Sequence, residues 1–155
     1  MKITIRNLQK KALIHPKKIK KIALNTLSSE GIKNSGEIAI YFVSDKEIRK
    51  LNLKYLDRDA PTDVIAFDLS EPAISDNIFA DIFISTDTAL VNAGTYKTSL
   101  SQELCLYVIH GLLHLLGYDD KRLRQRQMMD KKANHILTTL WGRSPRCHPK
   151  HLEPV

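Results

Sequence analysis

"SLSQELCLYVIHGLLHLLGYDD", residues 99–120, is the stretch on which the fold turns. Ser99 followed three places later by Gln102 is a capping-box start for a helix. The apolar positions that follow, Leu104, Tyr107, Val108, Leu112, Leu115 and Leu116, spread around the whole helical circumference, so this helix is expected to be buried on every side. His110 and His114 are four residues apart, which sets both imidazoles on one helix face with Cβ atoms about 6 Å apart. Gly117 is a natural helix end because glycine tolerates a left-handed backbone. Past it the chain can fold back and bring Asp119 or Asp120 near the two rings. Two imidazoles and one carboxylate can reach a single ion at about 2.0–2.2 Å each, and three protein donors with a fourth position open are the mark of a catalytic zinc site. Two histidines at this spacing are by themselves more often packing residues; the glycine and the oxygen donor in H-x-x-x-H-x-x-G-x-x-D turn the balance.

Outward from this helix, the N-terminal half alternates strands and helices. "MKITIRNL" alternates and is rich in β-branched residues, which predicts a strand. A helix should follow with Pro16 in its first turn, Ile19, Ile22, Ala23 and Leu27 inward, and a stop near Gly31. "EIAIYFV" is a second strand, and Ser44 with Glu47 starts a short helix carrying Ile48, Leu51 and Leu53. Pro61 and Thr62 turn the chain into a third strand, "DVIAFDL", and "FADIFIS" is a fourth. A helix from about Asp87 towards Gly94 precedes the buried one. Another over about 121–140 is amphipathic through Leu123, Met128, Ile136, Leu137 and Leu140. This order predicts a single α+β (mixed α/β) domain over 1–141, a roughly four-stranded sheet packed on helices, with the histidine helix central and buried. The segment 142–155, with three prolines and no periodicity, is expected to be a flexible tail. Its Cys147, His148 and His151 have nothing to fix them into a metal site.

Charge is distributed in blocks. Residues 1–60 hold 14 Lys and Arg against 6 Asp and Glu, 61–120 hold 1 against 9, and 121–155 hold 9 against 2. Clustered cations such as "HPKKIKK" and "DKRLRQRQ" can hold a polyphosphate backbone by counterion release, while the acidic middle holds the histidines. Only two cysteines occur, Cys105 and Cys147, too few for a disulfide framework, and no stretch approaches the roughly 20 apolar residues of a membrane span. A cytoplasmic protein with no membrane partner is expected.

The spacing matches the metzincin pattern H-E-x-x-H-x-x-G-x-x-H, but the residue after the first histidine is Gly111 and not the glutamate a peptidase uses as general base. "HGLLHLLGYDD" instead resembles the H-G-x-L-H-L-x-G-Y-D-H signature of the YbeY family, zinc-dependent endoribonucleases of ribosomal RNA maturation. "LNLKYLDRDAPTDVIAF" resembles that family's L-N-x-x-Y-R-x-K-D-x-P-T-D-V-L-S-F segment, "ADIFIS" its G-D-I-x-I-S strand, and "MMDKKANHIL" the M-x-x-x-E-x-x-I-L of its last helix. The similarity runs over about residues 36–140. It implies a Zn2+ site of His110, His114 and Asp120, with Asp120 standing where the family has its third histidine. A carboxylate there partly neutralises the ion, and two histidines with one carboxylate are also the donors of non-haem iron, so iron or another divalent metal fits the set. The family's arginine falls at Leu56, and Arg58, two residues on, is the guanidinium assigned to the phosphate; extended geometry would put 56 and 58 on one side.

The resemblance implies single-strand-specific cleavage of RNA, ribosomal in origin, with ribosomal subunits or proteins as partners. On that reading the cation would supply an activated hydroxide or 2′-hydroxyl for attack at the backbone phosphorus, and Arg58 would help stabilise the charge on the phosphoryl oxygens. The alternative is a non-catalytic RNA-binding ribosome assembly factor with a structural or degenerate metal site, motivated by Leu56 and Asp120. A hydrolase of small phosphorylated molecules would gain nothing from two basic flanks. His15 and His135 are expected on the surface or in packing. Asp63, Asp68 and Asp119 are candidates for orienting a histidine from behind.

Overall fold

The computed structural model of the chain describes residues 1–33 and 35–142 of its 155, so the tail from 143 onward lies outside the described residues. In order, the elements are β1 (Lys2–Asn7), α1 (Pro16–Ser29), β2 (Gly36–Val43), α2 (Asp45–Leu56), β3 (Val64–Asp68), β4 (Ile78–Ser85), α3 (Thr86–Tyr96), α4 (Leu100–Leu115) and α5 (Leu123–Trp141). The four strands form one sheet in the order β1-β2-β4-β3. β1, β2 and β4 run parallel, and β3 pairs antiparallel with β4 at the edge. This is an α+β domain, as the strand and helix pattern predicts.

Strand alternation sorts the sheet into two unequal faces. Ile38, Ile40 and Phe42 of β2 and Ala80, Ile82 and Ile84 of β4 are buried in the main core with α1, α4 and α5. On the other face Tyr41 stacks on Phe83 at 4.5 Å, and Ile48 of α2 packs over Val43 and Ile65. α4 lies against the sheet from within the core, and every residue from Glu103 to Leu113 is buried. Glycine allows this close approach: a Cβ on Gly111 would stand 2.9 Å from Ile82 Cγ2 and 3.0 Å from Val64 Cγ2. The residue that denies the sequence a peptidase's glutamate is therefore the one that seats the helix on β3 and β4.

Three local expectations need correction. Leu53 is 48% exposed, and the position buried together with Ile48 is its neighbour Asn52, whose amide donates to the Ala60 carbonyl at 2.8 Å. Leu123 and Met128 of α5 are 55% and 54% exposed, while Met129, Ala133, Ile136 and Leu137 are buried. Those four sit at i, i+4, i+7 and i+8, a single helical stripe, whereas Met128 lies about 100° round from Met129. α3 extends beyond Gly94 to Tyr96, and Ser85 caps it by accepting from the Thr88 amide at 3.1 Å.

α1 packs on both α4 and α5. Asn25 donates to Thr139 Oγ1 at 3.1 Å, and Lys132 pairs with Glu30 at 2.8 Å. With Lys18 over the Trp141 ring, these contacts set α1 and α5 antiparallel, so the basic start of each helix lies towards the other's end. Among the described residues no helix is long and apolar enough to cross a membrane.

Candidate metal centre

α4 ends in a full Schellman turn. The Tyr118 amide donates to the Leu113 carbonyl at 3.0 Å and the Gly117 amide to the His114 carbonyl at 3.0 Å. Gly117 takes φ +96, open to glycine and strained for any other residue. The turn carries the chain back across the helix end, so that Asp120 Oδ2 comes within 3.6 Å of His114 Nε2.

These residues open into a cleft of about 450 Å³ lined by Thr62, Asp63 and Val64 at the start of β3, Thr88, Asn92 and Tyr96 of α3, His110 and His114 of α4, Asp120, and Met129 of α5. His110 is buried, with its side chain 5% exposed, and its Nε2 stands 3.8 Å from Asp130 Oδ1 on α5. The structure thus brings His110, His114 and Asp120 to one cleft. Among the described residues no three His, Cys, Asp or Glu side chains are gathered closely enough to grip an ion as they stand.

The donor chemistry nevertheless fits a divalent cation. His114 Nδ1 lies 3.1 Å from the Tyr118 carbonyl, which can only accept, so Nδ1 is the donor in this bond and Nε2 is the nitrogen left facing the cleft. A backbone carbonyl holding the far nitrogen is the usual way a ligating imidazole is oriented. Two donors of one tetrahedral ion stand about 3.4 Å apart, close to the 3.6 Å between His114 Nε2 and Asp120 Oδ2.

Arg58 lies elsewhere. Leu56 ends α2, Asp57 is left-handed at φ 55, and the Arg58 amide donates to the Asn52 carbonyl at 3.2 Å. The segment is a helix cap and not a strand, so 56 and 58 share no extended face; Arg58 is exposed and is not among the residues that line the cleft. Of the three aspartates considered for orienting a histidine, Asp63 lines the cleft, where its Oδ1 accepts from the Val64 amide at 2.7 Å. Asp68 caps Ser70 at the far end of β3, and Asp119 accepts from the Lys121 amide at 3.0 Å, a bond that holds its carboxyl below the usual range. His15 and His135 are both exposed.

Thr88, Asn92 and Tyr96 escaped sequence reasoning, although their i, i+4, i+8 spacing is a polar stripe on α3 that a search for such faces would find. Asn92 is held by a 2.6 Å bond from its amide to the Tyr107 hydroxyl, whose pKa burial pushes well up, with the Glu103 charge adding to the rise. Asp130 was also missed, since nothing in a single acid on a basic helix marks it as facing a histidine.

An α+β domain in which one buried helix and the turn after it direct two histidines and a carboxylate into an open cleft defines the class. The family model Endoribonuclease YbeY matches residues 4–141. A protein of Syntrophus aciditrophicus named Endoribonuclease YbeY is 37% identical over 92% of this chain and 91% of its own length. Its namesake from Aquifex aeolicus is 37% identical over 84% of this chain and 87% of its own. The solution structure of TM1509 from Thermotoga maritima superposes with a TM-score of 0.61 at 27% identity, covering 90% of this chain and 89% of that one. The chain belongs to the YbeY family.

Proposed function

We propose that this chain is a metal-dependent endoribonuclease that cuts single-stranded ribosomal RNA during ribosome maturation in the cytoplasm. The observation that carries it is the cleft shared by His110, His114 and Asp120, beside the basic start of α5. Zn2+ is the cation proposed, with iron or another divalent ion compatible with the donors. When bound, it supplies Lewis acidity towards a phosphoryl oxygen and lowers the pKa of water. His110, His114 and Asp120 hold it. The second N–H of Asn92 can donate to a phosphate of a strand laid through the cleft, and the hydroxyls of Thr62 and Thr88, which donate to Asp63 and Asp45, can accept from its sugar hydroxyls. Lys121, Arg122 and Arg124, all exposed, extend this contact along the backbone. Arg58, on the loop leading to Thr62 but outside the cleft, is assigned a phosphate contact to the part of the strand that runs beyond it.

The test is elemental analysis of the purified protein beside cleavage of single-stranded and duplex RNA. About one equivalent of cation is expected, falling sharply in His114→Ala and Asp120→Ala. Cleavage of the single strand should drop at least about 100-fold in both variants. Long RNA, and not mononucleotides, should compete. Asp120, placed where the family has histidine, favours one second reading, an RNA-binding assembly factor: RNA bound but uncut under every cation tried would establish it.

A further inference from the structure

Both cleft histidines face a carboxylate, and only one of the two carboxylates lies on the turn after α4. Asp130 is on α5, next to Met129 of the cleft wall, and its Oδ1 stands 3.8 Å from His110 Nε2. Asp120 Oδ2 stands 3.6 Å from His114 Nε2. Donors sharing one tetrahedral ion are about 3.4 Å apart, so within each pair, taken separately, the two donors stand within half an ångström of that spacing, and Asp130 lies behind the residues that line the cleft.

Which nitrogen Asp130 faces is decisive. A carboxylate that orients a ligating histidine bonds the ring nitrogen turned away from the ion. In His114 that nitrogen is Nδ1, engaged with the Tyr118 carbonyl, and Nε2 looks into the cleft. Asp130 faces the corresponding Nε2 of His110, the nitrogen that in His114 looks into the cleft. It is also the better shielded acid, its side chain 21% exposed against 35% for Asp120, so its charge acts through less water. It is the one acid in the nineteen residues of α5, a helix with Arg124, Arg126, Lys131 and Lys132 close by.

Resting on the reading of the cleft as a cation site, we propose that Asp130 is a fourth protein donor, making the set His110, His114, Asp120 and Asp130. Two carboxylates cancel the charge of a divalent ion. Four protein donors also fill a tetrahedral ion, so an open position exists only for a cation that takes five or six ligands. Manganese(II) and iron(II), which suit carboxylate-rich sets, would keep such a position beside four donors, whereas a tetrahedral zinc would not. The competing role for Asp130 is an intrahelical pair with Arg126, one turn back, which would support the helix and leave cation binding alone.

The experiment measures Zn2+ and Mn2+ affinity by calorimetry on the metal-stripped full-length protein. The wild type is compared with Asp130→Asn, Asp130→Ala, Arg126→Gln and Asp120→Ala, and each stripped protein is also melted. Loss of Mn2+ affinity by about 10- to 100-fold in both Asp130 variants, with a smaller loss for Zn2+ and Arg126→Gln unchanged, is the expected result. Unchanged affinities in the Asp130 variants beside a loss in Asp120→Ala overturn the proposal and leave the cleft's assignment standing. A lower melting temperature with unchanged affinity assigns Asp130 to the helix and overturns it too. A wild type that binds neither ion overturns both.

Discussion

Gly111 shows how a single residue type sets where α4 rests. Its missing side chain lets the helix backbone meet Ile82 and Val64, whose Cγ2 atoms would stand 2.9 and 3.0 Å from a Cβ. Both neighbours are β-branched and stiff at χ1, so neither can swing aside at low cost. Gly111→Ala is predicted to destabilise by about 1–3 kcal/mol by overpacking, although alanine gains about 1 kcal/mol in helix propensity. Chemical denaturation measures it, and a neutral result would mean that α4 can lift off the sheet. The sequence offered the glycine, and its position between two histidines invited a chemical explanation. Its packing role was not legible, because the partners Val64 and Ile82 are remote in the chain and only the sheet places them.

At the scale of the element, α4 carries its own boundary signals. Ser99 accepts from the Gln102 amide at 3.1 Å, and the Gln102 side chain accepts from the Ser99 amide at 2.9 Å, the capping box the sequence predicts. Ser99→Ala should cost about 1 kcal/mol of stability, a drop of roughly 2–4 °C in melting temperature, and leave cation affinity unchanged, since the cap lies three turns from His110. Gly117→Ala should cost about as much or more through its positive φ and, unlike Ser99→Ala, weaken cation binding. The difference arises because the turn at Gly117 sets both the Tyr118 carbonyl and Asp120. Calorimetric titration of the two variants separates a cap that only stabilises from one that also builds the site. Both caps are local in sequence, which is why both could be read. The inward face of α5 was misjudged because Leu123 and Met128 are apolar and yet exposed, and the choice between Met128 and Met129 is made by α1 and α4.

For the whole molecule, one cluster ties the site to the outer helices. Tyr118 donates to Glu30 Oε2 at 2.6 Å, and Lys132 pairs with Glu30 Oε1 at 2.8 Å, joining the end of α1, the turn after α4 and α5. Burial alone would raise the Glu30 carboxyl, but the bonds from Lys132 and Tyr118 and the Lys132 charge together hold it below the usual range. A carboxyl depressed in the fold contributes stability above its unfolded pKa, and that contribution is lost as pH falls through the folded value. Acidification below the ordinary carboxylate range should therefore loosen this corner. Glu30→Gln should be less stable by about 1–2 kcal/mol at neutral pH, with the gap to wild type closing in acid. Denaturant unfolding at several pH values checks the sign. A gap that stays constant with pH would show that the ion pair is not what holds the three helices together.

The chain by itself determined the elements and the histidine pair. Strand alternation, capping residues and the histidine spacing are local patterns with local physical causes, and the four strands, the buried helix and the pair His110 and His114 follow from them. The tertiary structure decided everything that depends on separation along the chain. It set β3 antiparallel at the sheet edge, seated Gly111 on Ile82, and left Arg58 outside the cleft by ending α2 in a left-handed cap. It also turned Asp130 towards His110, a meeting across two packed helices that no spacing in the sequence encodes.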